Sequence, residues 1–244
     1  MPLPLVGFLL LVCCTGYAWA GEAEDIANIR ERLERLVPHE PSSVRPSAVP
    51  GLYEVMYGAE ALYLTGDGRF VLQGDLMDLD SGKNLTESAR TGIRKQLIDG
   101  MDESEMIVFS PANRRHTLTV FTDVDCGYCR KMHAEMDQLN SYGIAVRYLM
   151  FPRSGVDTPS FDKAVSVWCA NDQRDAITRA KAGEQVPEAD CDNPVEAQWL
   201  LGQHMGVAGT PALFTEHGTL IQGYRPAKQL AAALDSMAEG TTAP

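Results

Sequence analysis

Positive charge is scarce in this chain of 244 residues, which has 21 Lys and Arg against 33 Asp and Glu. The formal net charge is therefore −12 at pH 7. A surface with this excess of negative charge repels nucleic acids and anionic lipids, so we expect neither as a partner. The 45% hydrophobic content is nonetheless that of an ordinary globular protein with a sizeable core.

The chain also lacks a hydrophobic run long enough to span a bilayer, which takes about 20 residues. The apolar run 5–14 is shorter, and Ala18-Trp19-Ala20 supplies the small residues that precede a signal-peptidase site. Residues 1–20 are therefore predicted to be a cleaved secretory signal, although they contain no Lys or Arg. The alternative is a lipoprotein signal acylated at Cys13 or Cys14, which the bulk of Val12 disfavours.

Cysteine is equally sparse. Removal of the predicted signal leaves four of the six cysteines: Cys126, Cys129, Cys169 and Cys191. An even number of cysteines in an exported protein suggests disulfide bonds, and four cysteines allow three connectivities. If Cys126 and Cys129 form a redox pair, Cys169 and Cys191 remain to pair with each other.

The hydrophobic pattern predicts a first block with one amphipathic helix at residues 24–36, followed by strands at 52–57, 61–65 and 70–73. The last two strands flank Gly66-Asp67-Gly68, which is typical of a hairpin turn. So small an α+β unit is marginally stable alone and is therefore a candidate for self-association. Residues 85–103 predict a mostly polar helix, interpreted as an exposed linker, with packing on either block as the alternative.

The second block alternates strand and helix patterns. The predicted elements are strand 117–122, helix 126–140, strand 144–150, a mainly helical stretch 160–205, strands 211–214 and 219–222, and helix 227–238. Such alternation indicates an α/β domain.

The segment Cys126-Gly127-Tyr128-Cys129 stands between a predicted strand and a predicted helix. Thiol–disulfide exchange needs a thiolate that attacks and a second thiol that resolves the mixed disulfide. The two-residue spacer places both thiols on the first helical turn, where free N–H groups favour the thiolate of the first cysteine. Cys126 is therefore predicted to be an accessible, easily ionised nucleophile, and Cys129 the resolving thiol.

Nearby charges act in both directions on this thiolate. Arg130 and Lys131 favour it, whereas Asp123 and Asp125 oppose it, and the sequence does not decide between them. A lone C-x-x-C also fits half of a zinc site or a plain structural disulfide. Its place between strand and helix favours the redox reading, and neither a metal nor a cofactor is expected.

Thr210-Pro211 supports the same interpretation. In a thioredoxin-like fold, a proline at the start of this strand is cis and faces the active cysteines. Neighbouring backbone groups then pair with an extended substrate, although most X-Pro bonds are trans.

The chain resembles the DsbC/DsbG family of periplasmic disulfide isomerases over essentially its whole mature length. The resemblance rests on Phe121-Thr122-Asp123, Cys126-Gly127-Tyr128-Cys129, Val146-Arg147-Tyr148-Leu149, Phe151-Pro152-Arg153, Trp168-Cys169-Ala170 and Gly209-Thr210-Pro211-Ala212. The Gly-Tyr dipeptide resembles DsbC more than DsbG. Arg130 departs from the histidine common after the second catalytic cysteine.

The resemblance implies an α/β thioredoxin-like catalytic domain with a helical insert, preceded by a small α+β, cystatin-like dimerisation domain and a linker helix. The implied boundaries are a signal peptide at 1–20, the dimerisation domain at 21–82, the linker at 83–104 and the catalytic domain at 105–240. Cys169 and Cys191 match the family's non-catalytic disulfide. The active-site loop would comprise Gly127, Tyr128, Thr210 and Pro211.

The function that the resemblance implies is disulfide isomerisation and reduction in the periplasm by a V-shaped homodimer whose two active sites face a cleft. Its substrates would be misfolded disulfide-containing proteins, toward which it would also act as a chaperone. The membrane thiol reductase DsbD would keep Cys126 reduced. Two alternatives are a DsbG-like reductase of oxidised single cysteines and a non-catalytic chaperone dimer with inert cysteine bridges.

Overall fold

The computed structural model describes residues 17–241 and the side chains of residues 21–240. The predicted signal peptide thus lies almost wholly outside the described residues. The described chain divides into two compact units. One runs to Tyr57 and adds Ala61–Gly74, and the other comprises Gly58–Glu60 and the chain from Asp75 onward. None of the helices in the described part is long and apolar enough to cross a membrane.

The first unit packs one helix on a four-stranded sheet. Helix α1 (Tyr17–Glu34) precedes strands β1 (Ser43–Pro46), β2 (Leu52–Tyr57), β3 (Glu60–Thr65) and β4 (Val71–Leu72), which pair in that order. The core consists of buried side chains from the helix and the sheet, namely Ile29, Leu33, Val44, Tyr53, Val55 and Leu64. The predicted helix and the three predicted strands are confirmed. Strand β1 was not predicted, because it is a short edge strand that ends in a proline.

The hairpin between β3 and β4 has the predicted turn. Gly68 has a φ of +65°, which glycine adopts without the steric penalty of a side chain. Asp67 Oδ1 accepts hydrogen bonds from Thr65 Oγ1 at 2.5 Å and from the backbone N–H of Arg69 at 3.0 Å. Strand β4 therefore lies at the free edge of the sheet.

The second unit begins with a small hairpin of β5 (Met77–Asp78) and β6 (Lys83–Asn84), followed by helix α2 (Leu85–Asp99). The interpretation of this helix as an exposed linker is wrong and the alternative, packing on one of the blocks, is confirmed, because one face of it is buried within the second unit. Arg94 donates from Nε to the carbonyl of Met205 at 3.2 Å, and Ile98 packs with Phe121 and Leu149. The aliphatic pattern missed this face because two of its three buried residues, Thr86 and Arg94, are polar.

A five-stranded sheet forms the centre of the second unit. Its strands pair in the order β11-β10-β8-β9-β7, in which β8 and β9 are parallel and the other pairs are antiparallel. Their bounds are β7 (Ile107–Phe109), β8 (His116–Thr122), β9 (Ile144–Met150), β10 (Ala212–Thr215) and β11 (Leu220–Gln222). Four of these strands were predicted, and β7 was missed because it spans a single short apolar stretch.

Alternate residues of the central strands enter two separate cores. Leu118 and Val120 of β8 lie in the larger core, whereas Phe121 lies in the smaller one, because successive side chains point to opposite faces of a sheet. Both faces of this sheet are consequently covered, and the end of β8 emerges between them.

The predicted single helix 126–140 is instead two helices, α3 (Gly127–His133) and α4 (Met136–Ser141). The interruption falls at Glu135, whose carboxylate accepts hydrogen bonds from the hydroxyl of Tyr224 and, at 2.7 Å, from the backbone N–H of Ala227. Ala227 begins helix α8 (Ala227–Thr241). The side chain of Glu135 thus caps the start of α8, at the point where α3 and α4 are interrupted.

The predicted helical stretch 160–205 consists of α5 (Pro159–Trp168), α6 (Gln173–Ala182) and α7 (Val195–His204). Gly183 ends α6 with a φ of +87°, and the following segment to Pro194 is not helical. The structure joins Cys169, at the end of α5, to Cys191 in that segment by a disulfide that spans 22 residues.

Candidate active site

The C-x-x-C segment lies where strand β8 leads into helix α3. Cys126 is the N-cap of this helix, and its Sγ accepts a hydrogen bond from the backbone N–H of Cys129 at 3.4 Å. The thiol thus takes the role that a serine or aspartate oxygen has at other helix starts. Such a donor stabilises a thiolate more than a neutral thiol.

Cys126 is only 2% exposed, so the prediction of an accessible sulfur is wrong for this conformation. Its S–H donates to the main-chain carbonyl of Thr210 at 3.3 Å. The exposed surface at this point is formed by Gly127 and by Tyr128, whose side chain is 65% exposed. In this conformation little of Cys126 is open to a substrate disulfide.

Thr210 and Pro211 reach the cysteines because β10 pairs with β8. Ala212 is the register partner of Phe121, which places the residue before β10 beside the end of β8. The Thr210-Pro211 peptide bond is cis. The structure therefore brings together the cysteine pair and the proline loop, which stand more than eighty residues apart in the chain.

Cys126 has a pKa below that of an ordinary thiol. Burial by itself raises its pKa, but hydrogen bonding with Thr210 and Cys129 and the positive charge of Arg153 outweigh burial. At a given pH a larger fraction of Cys126 is therefore thiolate than of an ordinary thiol, as a nucleophile in disulfide exchange requires.

Cys129 titrates in the opposite direction. Burial raises its pKa above that of an ordinary thiol, and the charge of Lys181 opposes the effect of burial. The two thiols are therefore distinct, one inclined to ionise and one inclined to keep its proton, as the roles of nucleophile and resolving thiol require.

The buried carboxylate of Asp123 anchors the loop before the cysteines. It accepts hydrogen bonds from Arg153 Nε at 2.9 Å, Ser160 Oγ at 2.9 Å and the backbone N–H of Asp125 at 2.8 Å. Burial raises the pKa of Asp123, but these donors outweigh it and hold the pKa below the usual range. The carboxylate is therefore ionised and paired with Arg153.

Asp123 and Asp125, the two acidic residues expected to oppose the Cys126 thiolate, are thus both paired with basic side chains. Asp125 pairs with Lys163 at 2.9 Å and with Arg130 at 3.3 Å. Lys131 lies over the ring of Tyr224, with 4.8 Å between Nζ and the ring centroid. The positive charge that acts on Cys126 comes mainly from Arg153, which is 27 positions from Cys126 in the sequence.

Sequence reasoning therefore missed two basic residues. Arg153 stood in a motif that carried the family resemblance, but nothing in its spacing connected it to the cysteines. Lys181 gave no signal at all, because a lysine on a polar helix is normally solvated. Only the packing of α6 against the sheet shows it to be buried.

An aromatic surface adjoins the cysteine pair. The rings of Tyr128 and Tyr224 stack with centroids 6.5 Å apart and an interplanar angle of 18°. Because Tyr128 immediately precedes Cys129 and is exposed, this surface is available to side chains that flank a substrate cysteine.

One alternative for the C-x-x-C segment was half of a zinc site. In the part of the chain that the structure describes, no three or more His, Cys, Asp and Glu side chains are grouped so as to hold a metal ion.

Comparison with known families identifies two matching domains. Residues 20–87 match the disulfide bond isomerase protein N-terminal domain, and residues 103–238 match a thioredoxin-like domain. Together these matches cover most of the chain.

Curated relatives match over nearly the full length. The chain is 37% identical over 229 residues to the thiol:disulfide interchange protein DsbC of Escherichia coli (strain K12), covering 94% of this chain and 95% of the relative. It is 32% identical to the DsbC protein of Haemophilus influenzae, covering 80% and 84%. Among solved structures, a disulfide interchange protein from Neisseria gonorrhoeae is similar, with a TM-score of 0.51 and 29% identity over 56% of this chain and 97% of that chain.

Proposed function

The chain belongs to the DsbC family of thiol:disulfide interchange proteins, and from this premise we propose that Cys126 is its nucleophile and Cys129 its resolving thiol. As a member of this family, the protein is a thiol–disulfide oxidoreductase and a disulfide isomerase. The observation that carries the residue assignment is the hydrogen bond from the backbone N–H of Cys129 to Sγ of Cys126, since it favours the thiolate of Cys126.

In the first step, the Cys126 thiolate attacks one sulfur of a substrate disulfide. A mixed disulfide forms, the substrate S–S bond breaks, and its electron pair leaves on the second substrate sulfur. Arg153 and the backbone N–H of Cys129 favour the thiolate of Cys126 for this attack. Gly127 adds no side chain over the sulfur, and Tyr128 supplies the adjoining surface.

Two outcomes follow from the mixed disulfide. In isomerisation, the freed substrate thiolate or another substrate cysteine attacks and releases Cys126 with a rearranged bond. In reduction, Cys129 attacks Sγ of Cys126, which yields the Cys126–Cys129 disulfide and two substrate thiols. The higher pKa of Cys129 favours its remaining protonated while isomerisation proceeds.

The substrates in this proposal are misfolded, disulfide-containing exported proteins, and the active form is a homodimer with chaperone activity. Residues 21–82 form the dimerisation domain, and residues 105–240 the catalytic domain. Dimerisation is supported by the edge strand β4, in which Val71 and Leu72 are more than half exposed, as is the preceding Phe70. Apolar edge strands are ready to pair with another chain.

The setting in this proposal is the periplasm, reached through the signal peptide at residues 1–20. There the membrane thiol reductase DsbD returns the Cys126–Cys129 disulfide to two thiols, because an isomerase attacks only while its nucleophile is free. If this is correct, Cys126 is trapped as a free thiol in cells that have DsbD and as a disulfide in cells that lack it.

The cysteine roles are tested with Cys126→Ser and its matched counterpart Cys129→Ser. We expect Cys126→Ser to abolish both reduction of insulin and refolding of scrambled ribonuclease. Cys129→Ser retains attack and accumulates a mixed disulfide with the substrate, visible on a non-reducing gel. Retained activity in Cys126→Ser, or trapping by Cys126→Ser instead of Cys129→Ser, contradicts the assignment.

A further inference from the structure

Lys181 carries a buried ammonium group that forms no ion pair with an Asp or Glu side chain among the described residues. The residue is 4% exposed, and Nζ donates to Thr122 Oγ1 at 2.7 Å and to the carbonyl of Asp123 at 3.5 Å. The ammonium group also lies over the ring of Tyr148, with 5.3 Å between Nζ and the ring centroid. No ion pair among the described side chains includes Lys181, although an unpaired buried charge is strongly unfavourable.

The packing of two helices directs this lysine toward the resolving cysteine. His133 of α3 is linked to Thr178 of α6 by a hydrogen bond of 3.0 Å between Nε2 and Oγ1. Cys129 lies one turn before His133, and Lys181 lies one turn after Thr178, so each pair shares a helix face. Nζ of Lys181 contacts Thr122 and Asp123, which lead into α3, so its charge lies near the first turn of that helix, where Cys129 stands.

The electrostatics agree with this geometry. The charge of Lys181 lowers the pKa of Cys129, and among the effects that oppose burial at Cys129 it is the largest. Burial lowers the pKa of Lys181 itself to about 8, against the opposing charges of Cys129 and Cys126. The ammonium form therefore prevails at neutral pH.

We propose that Lys181 is a positioning residue that acts through Cys129, supplying the buried positive charge that stabilises the Cys129 thiolate when it resolves the mixed disulfide. The inference rests on the proposed roles of Cys126 and Cys129, and it adds the group that assists the second step. In the resting protein Lys181 is not ion-paired with a described side chain. The Cys129 thiolate that forms during reduction supplies the missing negative charge.

The Cys129 thiol gives its proton to solvent, and its thiolate attacks Sγ of Cys126. The bond between Cys126 and the substrate sulfur breaks, its electron pair leaves on that sulfur, and the resulting substrate thiolate takes a proton from solvent. The two cysteines are oxidised to a disulfide while the substrate disulfide has been reduced to two thiols.

Other titratable and charged groups face the same site and act on the same titration. They are Cys126, Arg130 and His133 on α3, Asp123 in the loop before it, Tyr148 on β9 and Arg153 beyond β9. Cys126 is serine in every variant that is titrated and the other groups are retained, so a difference between variants reports Lys181.

The test titrates Cys129 alone, in a Cys126→Ser background, by the ultraviolet absorbance of its thiolate. Subtraction of the same titration in Cys126→Ser/Cys129→Ser removes the tyrosine and other thiol signals. We expect Lys181→Met to raise the pKa of Cys129 by about one unit, the size expected for loss of a nearby opposite charge. The matched control is Lys228→Met, which removes a lysine from the exposed side of α8 and leaves the pKa unchanged.

A second experiment measures reaction rates in Lys181→Met with both active-site cysteines present. Resolution of a preformed mixed disulfide is expected to slow about threefold, because a tenfold loss of thiolate is partly offset by the greater nucleophilicity of a less acidic thiol. The rate at which Cys126 attacks a substrate disulfide changes less than the rate of resolution.

Lys181→Arg and Lys181→Gln separate charge from packing and serve if Lys181→Met does not fold. Arginine keeps the charge and is expected to restore the parent pKa of Cys129, whereas glutamine is expected to raise it. An unchanged Cys129 pKa in the glutamine variant, or an equal rise with arginine, overturns the proposal. These titrations need no turnover, so failure here is distinct from an absence of exchange activity in the parent protein.

Discussion

Arg153 donates two hydrogen bonds to the same carboxylate oxygen of Asp123, from Nε at 2.9 Å and from its backbone N–H at 3.1 Å. This pairing holds a guanidinium beside the redox pair and neutralises the one buried carboxylate of the adjoining loop. The ion pair therefore fixes the guanidinium of Arg153 where its charge acts on the thiolate of Cys126.

Replacement of Arg153 by methionine is expected to raise the pKa of Cys126, since it removes a positive charge and leaves Asp123 uncompensated. The thiolate fraction falls at pH values below the new pKa and is unchanged well above it. We therefore expect a several-fold slower alkylation of Cys126 at neutral pH and equal rates at alkaline pH. The control Arg153→Lys retains the charge, and a rate profile for Arg153→Met that matches the parent at every pH argues against this role.

The exposed edge strand β4 predicts where two copies of the chain associate. Val71 in β4 is 58% exposed, and Val71→Glu is expected to convert the dimer into a monomer, because a buried unpaired carboxylate is unfavourable at a sheet edge. Isomerase activity is expected to fall more than insulin reduction. Sedimentation and the two activity assays measure these effects.

The matched control for the edge strand is Leu36→Glu, which changes a residue that is 70% exposed beyond the end of α1. We expect this variant to remain dimeric and fully active. Equal loss of isomerase and reductase activity in Val71→Glu counts against a dimer-dependent isomerase.

His133 makes folding sensitive to acid. Burial, followed by the charge of Lys181, lowers its pKa to about 4, so the folded protein holds it neutral at pH values where an unfolded histidine is protonated. Because the unfolded state binds the extra proton, the free energy of unfolding falls as pH decreases from about 6.5 toward about 4, by about 3 kcal/mol at the lower limit.

Denaturant unfolding at a series of pH values tests this linkage. His133→Gln is expected to lose stability less steeply across this pH range than the parent does. His39→Gln, at an exposed position, is expected to keep the parent slope. An identical slope in His133→Gln and the parent shows that other groups carry the acid sensitivity.

The Cys169–Cys191 disulfide is expected to stabilise the helical insert without taking part in exchange. It closes a loop with a sequence separation of 22, so Cys169→Ser/Cys191→Ser is expected to lower the free energy of unfolding by about 3 kcal/mol. The alkylation rate of Cys126 is expected to remain that of the parent. A large fall in that rate shows instead that the bridge positions the active site.

Much of the fold could be predicted from local patterns. The β8 and β9 strands, the turn at Gly66-Asp67-Gly68 and the closing helix are recognisable because strand and helix periodicity and turn residues are local properties. The interruption at Glu135 could not be predicted, because it coincides with a tertiary contact in which the carboxylate of Glu135 accepts a hydrogen bond from Ala227, the first residue of α8. The buried face of α2 escaped prediction for a similar reason, since Arg94 finds its acceptor at Met205.

The sequence by itself determined the chemistry of this protein: two thiols spaced to share the first turn of a helix, and a proline segment of the kind that accompanies them. The tertiary structure decided how those thiols differ. Arg153 and Lys181 come from separate parts of the chain, and their effects depend on burial and on distances of a few ångströms, because charges interact strongly only where water is excluded. Such proximity is created by the packing of β9 and α6, which no local spacing encodes.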